Sequence, residues 1–218
     1  MTHTARAQRP LSALDVAGLF NELLERHGPQ GWWPARTPFE MMVGAILVQN
    51  TNWRNVEKSI ARLDDAGLLD ARAMLAARLD ELQETIRPSG FMKAKSRACL
   101  GLAEWATRNG WPSLASARDL PTAQLRASLL TCRGVGPETA DVILLYVFER
   151  AVFIADRYAM RVLAARGYAV PTTYERLRAV AEAPLAASAL SAEQAGELHA
   201  LIIAEGKTVP VTTAAGGR

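Results

Sequence analysis

The chain has 218 residues, of which half are hydrophobic and 22% are charged, and its formal net charge is +3. This is the composition of a globular protein with a buried core; no apolar run is long enough to span a membrane, and the N-terminal MTHTARAQRP lacks the apolar segment of a signal peptide. The two cysteines support neither a disulfide framework nor a metal site, so we expect a cytoplasmic protein.

Apolar residues recur at helical spacing through most of the chain, which predicts a series of helices. The first predicted helix covers 11–28 and ends at Gly28-Pro29. In the second, Thr37-Pro38-Phe39-Glu40 is a capping box with proline at the first helical position, and Asn52 can cap the third. Further helices are predicted at 71–77, 79–86, 92–107, from Pro121 to about Leu130, from Pro137 onwards and three times in the remainder.

These elements predict an all-α fold of roughly ten helices joined by short loops. Only the brief VFIAD alternates like a strand, and no repeat of fixed period is visible. The tail VTTAAGGR is small and polar and is predicted to be disordered.

The segment CRGVGPETADVILLY joins two predicted helices through a glycine-spaced turn. Gly134 and Gly136 allow positive φ and leave backbone amides uncovered, while Pro137 suits the first turn of the next helix. The amides of Val135, Gly136 and the first helical residues can therefore converge on an anion such as a DNA phosphate, without reading a base. Taken alone, a bare G-x-G is explained more simply by close packing of two helices.

The order of the motifs resembles a known family. GVGPETADVILLY followed by the acid in VFIADRYAMRVLAARGY is similar to the helix-hairpin-helix motif and catalytic aspartate of the endonuclease III superfamily of DNA glycosylases. MMVGAILVQNTNWRNVEKSIARL, IRPSGFMKAKSRACLGLAEW and LHALIIAEGK resemble further segments of that family in the same order, so that the resemblance covers about 37–207.

The resemblance implies an architecture and a partner. The fold would have two helical domains flanking a DNA-binding cleft: a six-helix barrel with the hairpin at 37–148, and a domain built from both chain ends, 1–36 plus 149–218. The expected partner is double-stranded DNA containing a damaged base, bound by a monomer at the nucleoid rather than at a membrane. In the hairpin and after the aspartate, the residues implied to contact DNA are Gly134, Val135, Gly136, Thr139 and Arg157.

The resemblance also implies that Asp156 is the catalytic residue. Loss of a base leaves oxocarbenium-like positive charge on the deoxyribose, which an ionised carboxylate stabilises while it orients or deprotonates a water. Taken alone, Asp156 is more simply the N-cap of the helix that follows it. Its place after the hairpin favours both roles.

Two departures from the family pattern narrow the expected activity. Strand-nicking relatives carry a lysine two residues after the second glycine of the hairpin, where it forms a Schiff base with the sugar, and this chain has Glu138 there. A monofunctional glycosylase without efficient lyase activity is expected. Many relatives also hold an iron–sulfur cluster on four cysteines after the last helix, where this chain reads GKTVPVTTAAGGR. No cluster and no other cofactor is expected, apart from a possible monovalent cation on the hairpin carbonyls of Leu130, Cys132 and Val135.

A hairpin without the lysine and a C-terminal segment without the cluster cysteines resemble those of the 3-methyladenine DNA glycosylases of the endonuclease III type. In that group, aromatic residues hold an alkylated purine. Trp53 stands at a position that matches a base-stacking aromatic of that group, and GWWPARTPF supplies Trp32 and Trp33. An electron-poor, flipped base stacks well between electron-rich rings. Ordinary packing between domains explains Trp32 or Trp33 equally well.

Several polar residues complete the expected site, each with a simpler alternative. Gln49 resembles the residue that fills the space left by the flipped nucleotide, but it could be an ordinary polar residue at a helix end. Lys207 matches a lysine beside the base pocket, although a solvated lysine is equally plausible at a helix terminus. Glu138 is counted with the substrate-binding residues. Basic residues that could contact phosphates, or simply form solvated faces, are Lys93, Lys95, Arg97, Arg157 and Arg161.

Three functions are compatible with these patterns. The first is a monofunctional alkylpurine DNA glycosylase of base excision repair. The second is an endonuclease III-like glycosylase for oxidised pyrimidines or mismatches, and the third is a non-catalytic helix-hairpin-helix DNA-binding protein.

Overall fold

A computed structural model describes residues 8–210, and within that range the chain contains twelve α-helices and two short 3-10 helices but no β-strand. The all-α prediction is confirmed. The predicted disorder of 211–218 lies outside the described residues. The α-helices are α1 Val16–His27, α2 Pro38–Leu47, α3 Trp53–Asp65, α4 Ala71–Ala76, α5 Leu79–Thr85, α6 Met92–Arg108, α7 Ala115–Arg118, α8 Thr122–Leu130, α9 Pro137–Tyr146, α10 Arg157–Ala165, α11 Tyr174–Ser188 and α12 Ala192–Thr208.

Side-chain capping accounts for six of the twelve described α-helix starts. Thr37 accepts a hydrogen bond from the Glu40 amide at 3.1 Å, and Asn52 accepts one from the Asn55 amide at 3.1 Å, so both predicted caps are present. The predicted capping box is not completed, because the Glu40 carboxylate accepts from the Arg36 amide at 3.3 Å and not from that of Thr37. The first predicted helix was too long, because Asp15 caps α1 by accepting from the Gly18 amide at 2.8 Å. Residues 11–13 form a separate 3-10 helix. The short helix α7 was not predicted.

The described residues divide into two compact units. One unit is Trp33–Arg150, with helices α2–α9, and the other combines the residues before Trp33 with those from Ala151 onwards, with helices α1 and α10–α12. The assignment of 37–148 as a six-helix barrel stays a prediction. None of the described helices combines the length and apolarity that a membrane span requires.

The unit Trp33–Arg150 is organised around α2, which is buried from Phe39 to Leu47 and packs against α3, α6 and α9. Its helical hairpin, α8 and α9, is joined by a buried ion pair. Arg126 donates from Nε to Asp141 Oδ1 at 2.7 Å and from Nη2 to Oδ2 at 3.1 Å. Asp141 is fully buried.

The second unit is organised around α12, which packs against α1 and α10. Glu205, buried on α12, accepts a hydrogen bond from Arg26 at 2.7 Å and contacts His27 Nε2 at 2.7 Å and Arg166 at 3.4 Å. Burial opposes the ionisation of Glu205, but its contacts with His27, Arg26 and Arg166 outweigh that effect and lower its pKa. This network connects α1 and the end of α10 to α12.

Candidate active site

Asp156 is the N-cap of α10 and is buried, with 6% of its surface exposed. Its Oδ1 accepts a hydrogen bond from the Ala159 amide at 2.7 Å, so the predicted capping role is confirmed. The preceding residues Val152–Ala155 are all buried, and they place the carboxylate at the end of an apolar segment. The catalytic role of Asp156 stays a prediction.

An unpredicted histidine lies beside this carboxylate. His199 Nε2 is 4.0 Å from Asp156 Oδ2, and the imidazole is 7% exposed. Burial lowers the pKa of His199 to about 4, so that the ring is neutral at physiological pH. The small cavity against His199 is lined by apolar residues: Val152, Phe153, Ile154, Leu185, Ala195, Leu198 and Ile202.

The burial of His199 predicts a loss of stability in acid. In the unfolded chain the imidazole binds a proton below its ordinary pKa of 6.5, whereas in the folded protein it does so only near pH 4. Falling pH in this window therefore favours unfolding, by at most about 3 kcal/mol. We expect His199→Leu to lose less stability than the wild type between pH 7 and 4.5, measured by urea denaturation. Equal losses in the two proteins would contradict the neutral buried imidazole, and His27→Gln is the control.

The first turn of α10 carries the predicted residue Arg157. Its side chain is exposed, its Nη2 lies 3.1 Å from the Tyr158 hydroxyl, and its guanidinium is 4.8 Å from the centre of that ring. Arg161, on the same face, donates to the Gly206 carbonyl at 2.8 Å. Gly206 lets α12 approach closely, since a Cβ there would lie 2.9 Å from Tyr158 Cβ. Lys207 follows on the last turn of α12 and is exposed.

The hairpin turn between α8 and α9 differs in detail from the prediction. Gly134 has φ +80°, and a Cβ there would lie 2.5 Å from Ala98 Cβ, so both backbone and packing require glycine. Gly136 has φ −90°, and a Cβ there would meet nothing within 4 Å. The amide of Val135 donates to the Cys132 carbonyl at 3.1 Å. The predictions of a positive φ at Gly136 and of a free amide at Val135 are therefore wrong. The backbone amides that could bind an anion begin at Gly136.

Gln49 lies against this turn. Its Nε2 donates to Thr139 Oγ1 at 2.9 Å and to the Gly134 carbonyl at 3.2 Å. Thr139 is buried in the hairpin, and its hydroxyl accepts the hydrogen bond that attaches the loop after α2 to the hairpin. The sequence predicts that Gln49 fills the space left by the flipped nucleotide and that Thr139 contacts DNA, but it carries no signal that these two side chains contact each other.

Three aromatic rings gather in the unit Trp33–Arg150, and we call them the aromatic group: Trp33, Trp53 and Tyr146. Trp33 makes an edge-to-face contact with Trp53 at 5.1 Å between centroids and a tilted contact with Tyr146 at 5.7 Å. All three are half-buried. Gly44 lies beneath Trp33, where a Cβ would come within 3.3 Å of the indole. Trp32 falls in the other unit. The sequence analysis did not predict that Tyr146 belongs to this group, although an aromatic residue at the end of the apolar helix ADVILLY could have indicated it.

The basic segment at the start of α6 separates into different roles. Lys93 and Arg97 are exposed, but Lys95 is buried and donates to the carbonyls of Leu47 at 2.8 Å and Ser89 at 2.7 Å. Burial lowers the pKa of Lys95. The suggestion that Lys95 contacts phosphate is corrected, because its ammonium group satisfies two chain carbonyls. Phe91, before α6, is 66% exposed and has φ +49°, and no sequence pattern predicts either property.

The acidic residue Glu138 and the two thiols are the remaining candidate reactive groups. Glu138 is exposed in the first turn of α9. Cys99 and Cys132 are buried thiols, and burial raises the pKa of Cys99 to about 12 and that of Cys132 to about 11, which suppresses thiolate chemistry. Within residues 8–210, no cluster of three histidine, cysteine or acidic side chains could hold a metal ion.

Most of the chain is similar in sequence to known proteins. Residues 43–199 match the model of a family described as HhH-GPD superfamily base excision DNA repair protein. A protein of Methanocaldococcus jannaschii named as a DNA repair glycosylase is 38% identical over 187 residues, which are 85% of this chain and 84% of that protein. Endonuclease III of Sulfolobus acidocaldarius is 25% identical over 173 residues, 79% of this chain and 74% of that protein.

Solved structures give the same fold. The Helicobacter pylori 3-methyladenine DNA glycosylase bound to 1,N6-ethenoadenine superimposes with a TM-score of 0.77 and 25% identity, over 89% of this chain and 98% of that one. An endonuclease III–DNA complex superimposes with a TM-score of 0.68 and 20% identity, over 86% of this chain and 82% of that one.

Proposed function

The chain belongs to the HhH-GPD superfamily of base excision DNA repair proteins, and we propose that it is a monofunctional DNA glycosylase for an alkylated purine of the 3-methyladenine type. Action on DNA as a glycosylase follows from the family. The observation that carries the choice of lesion is the aromatic group, because electron-rich rings bind an electron-poor, often cationic base. The similarity to the Helicobacter pylori enzyme supports the same choice.

The proposed chemistry centres on Asp156. When the base departs, positive charge develops on the sugar, and an ionised carboxylate fixed nearby stabilises that transition state. The bond from the Ala159 amide holds one oxygen of the carboxylate, Oδ1, at the start of α10 before substrate binds. Asp156 would also orient or deprotonate the water that attacks the sugar.

The hairpin is proposed to hold a DNA phosphate beside the lesion. Gly134 is required by the fold itself, but the backbone angle and surroundings of Gly136 would accept a Cβ. Glycine at 136 is explained if an external group approaches the backbone there, and the start of α9 offers amides and a favourable dipole to a phosphate.

This difference gives a matched pair of variants. We expect Gly136→Ala to keep the unfolding free energy within about 1 kcal/mol and to weaken binding to duplex DNA about tenfold, because a methyl group obstructs the phosphate. Gly134→Ala should instead lower the unfolding free energy by about 1–3 kcal/mol. Denaturant titration and fluorescence anisotropy separate the two effects. DNA affinity unchanged in Gly136→Ala would refute the phosphate site.

Gln49 and Phe91 are proposed to enter the duplex. Gln49 would exchange its bonds to Gly134 and Thr139 for contacts in the space left by the flipped nucleotide. Phe91 is an exposed aromatic on a left-handed backbone, suited to wedge between base steps. Trp32, Lys207 and Glu138 stay proposed neighbours of the base, and Arg157 a proposed phosphate contact.

Water rather than an amine is the proposed nucleophile. The position that would supply a Schiff-base lysine is Glu138, exposed in the first turn of α9. Borohydride should therefore trap no covalent adduct between the protein and DNA during base release. A trapped adduct would overturn the monofunctional assignment while leaving the glycosylase assignment intact.

We also propose that the enzyme works as a monomer. It is proposed to lack an iron–sulfur cluster, because such a cluster needs four cysteine ligands and the sequence has two cysteines. A monovalent cation on the hairpin carbonyls is compatible with the turn, where the Cys132 carbonyl accepts one amide and retains a second lone pair. Potassium dependence of DNA affinity tests that ion.

The decisive experiment compares release of free base from three duplexes, containing 3-methyladenine, thymine glycol or a mismatch. We expect rapid release of 3-methyladenine and much slower release from the others. Release of thymine glycol alone would favour the second candidate, an oxidised-pyrimidine glycosylase, for which the identity to endonuclease III of Sulfolobus acidocaldarius is the supporting observation. Binding without any release would favour a non-catalytic protein.

A further inference from the structure

The carboxylate of Asp156 has two oxygens with different surroundings. Oδ1 is committed to the Ala159 amide at 2.7 Å, which ties it to the start of α10. Oδ2 points toward His199, whose Nε2 is 4.0 Å away on α12. This separation is about 1 Å longer than an N–H···O hydrogen bond, and catalytic hydrogen bonds are often long in free enzymes and shorten when substrate binds.

The surroundings of His199 favour a neutral donor. Its cavity is lined by apolar side chains of the segment before Asp156, of α11 and of α12, and burial disfavours the imidazolium. A neutral imidazole with a proton on Nε2 can orient a carboxylate without cancelling its charge, whereas lysine or arginine would form an ion pair. The negative charge then remains available to the sugar.

The ion-pair network of Glu205 and the contact of Arg161 lie further along α12 than His199 does. Glu205, with its partners Arg26, His27 and Arg166, is six residues beyond His199, and Arg161 of α10 donates to the carbonyl of Gly206. Six residues of helix span about 9 Å. The carboxylate of Asp156, with Oδ2 4.0 Å from Nε2, lies next to the imidazole.

We propose that His199 is the positioning residue of Asp156: its Nε2–H directs Oδ2, so that the carboxylate faces the sugar in one orientation. This inference rests on the proposed function of Asp156. It gives a function to a polar side chain at a buried position of α12, where packing alone would favour a hydrocarbon side chain.

The test compares His199→Leu, which removes the donor, with His199→Gln, which keeps an N–H near the position of Nε2. We expect His199→Leu to slow single-turnover base release about 10- to 100-fold, with affinity for lesion duplex changed less than about twofold. His199→Gln should recover most of the rate. The acid limb of the pH–rate profile should move toward neutral pH in the leucine variant, since a donor to the carboxylate is lost.

His27→Gln is the matched control, because it replaces another partly buried histidine of the same unit that contacts Glu205 rather than Asp156. It should leave rate and pH profile unchanged. Wild-type rates in His199→Leu, or equal losses in the leucine and glutamine variants, would overturn the positioning role while the glycosylase stands.

A second measurement does not depend on activity. Long-range proton–nitrogen correlation spectra identify the tautomer of each histidine, and His199→Gln identifies the signal of residue 199. We expect the Nε2–H tautomer in the wild type and a shifted Nε2 signal in Asp156→Asn. The Nδ1–H tautomer would refute the proposal even if no tested duplex were a substrate, an outcome that would separately refute the proposed function.

Discussion

Replacing Asp156 by asparagine should reduce the single-turnover rate of base release at least about 1,000-fold, with affinity for lesion duplex largely retained. The amide oxygen of asparagine can accept the Ala159 hydrogen bond, so the cap of α10 survives. The variant loses the negative charge that stabilises the positive charge developing on the sugar. Asp156→Ala should remove the charge and also about 0.5–2 kcal/mol of capping stability.

Asp15→Asn provides the control for this experiment. Asp15 caps α1 in the same unit by accepting from the Gly18 amide at 2.8 Å, so the substitution is chemically identical at a position with only a capping role. Quench-flow measurement of free base and anisotropy of the bound duplex separate rate from affinity. Unchanged base release in Asp156→Asn would remove Asp156 from the mechanism.

The second large effect is expected on stability, at the ion pair between α8 and α9. Asp141→Ala leaves the guanidinium of Arg126 largely buried without its carboxylate, and we expect the unfolding free energy to fall by about 3–5 kcal/mol. Urea denaturation measures this loss. Because the pair joins the two helices of the hairpin, hydrogen exchange should accelerate in both.

Two further variants define the cause. Asp80→Ala breaks a solvent-exposed pair with Arg78 in the same unit and should change the unfolding free energy far less than Asp141→Ala does. The double variant Arg126→Met/Asp141→Leu removes both charges and should recover much of the stability, since the dominant cost in Asp141→Ala is a buried charge that has lost its carboxylate. A loss in Asp141→Ala no larger than that in Asp80→Ala would contradict the structural importance of the pair.

The loop between α2 and α3 is held from two sides. Lys95 donates to the Leu47 carbonyl at the end of α2, and Gln49 donates to the hairpin turn. Both contacts lie in the unit Trp33–Arg150, which also carries the aromatic group. The loop, the hairpin and Trp53 therefore belong to the same compact unit. Movement of Gln49 into DNA would therefore release one of the two attachments of the loop.

Features that depend on neighbours a few residues apart were determined by the sequence itself. The caps at Thr37, Asn52 and Asp156 each use a side-chain oxygen and an amide three residues later, and no distant group is needed. The all-α class follows from helical spacing of apolar residues. The family resemblance, carried by the order of the motifs, also required only the sequence.

Tertiary structure alone decided what distant side chains do. Gln49 and Gly134 are 85 residues apart in the chain, and Lys95 and Leu47 are 48 apart, so neither contact has a local signal. The different needs for glycine at 134 and 136 depend on Ala98 and on the φ that the folded turn adopts. His199 came to lie beside Asp156 because α12 packs against α10, and burial there determines its protonation. Local hydrogen bonds are encoded in short patterns, but burial and long-range partners exist only once the helices have packed.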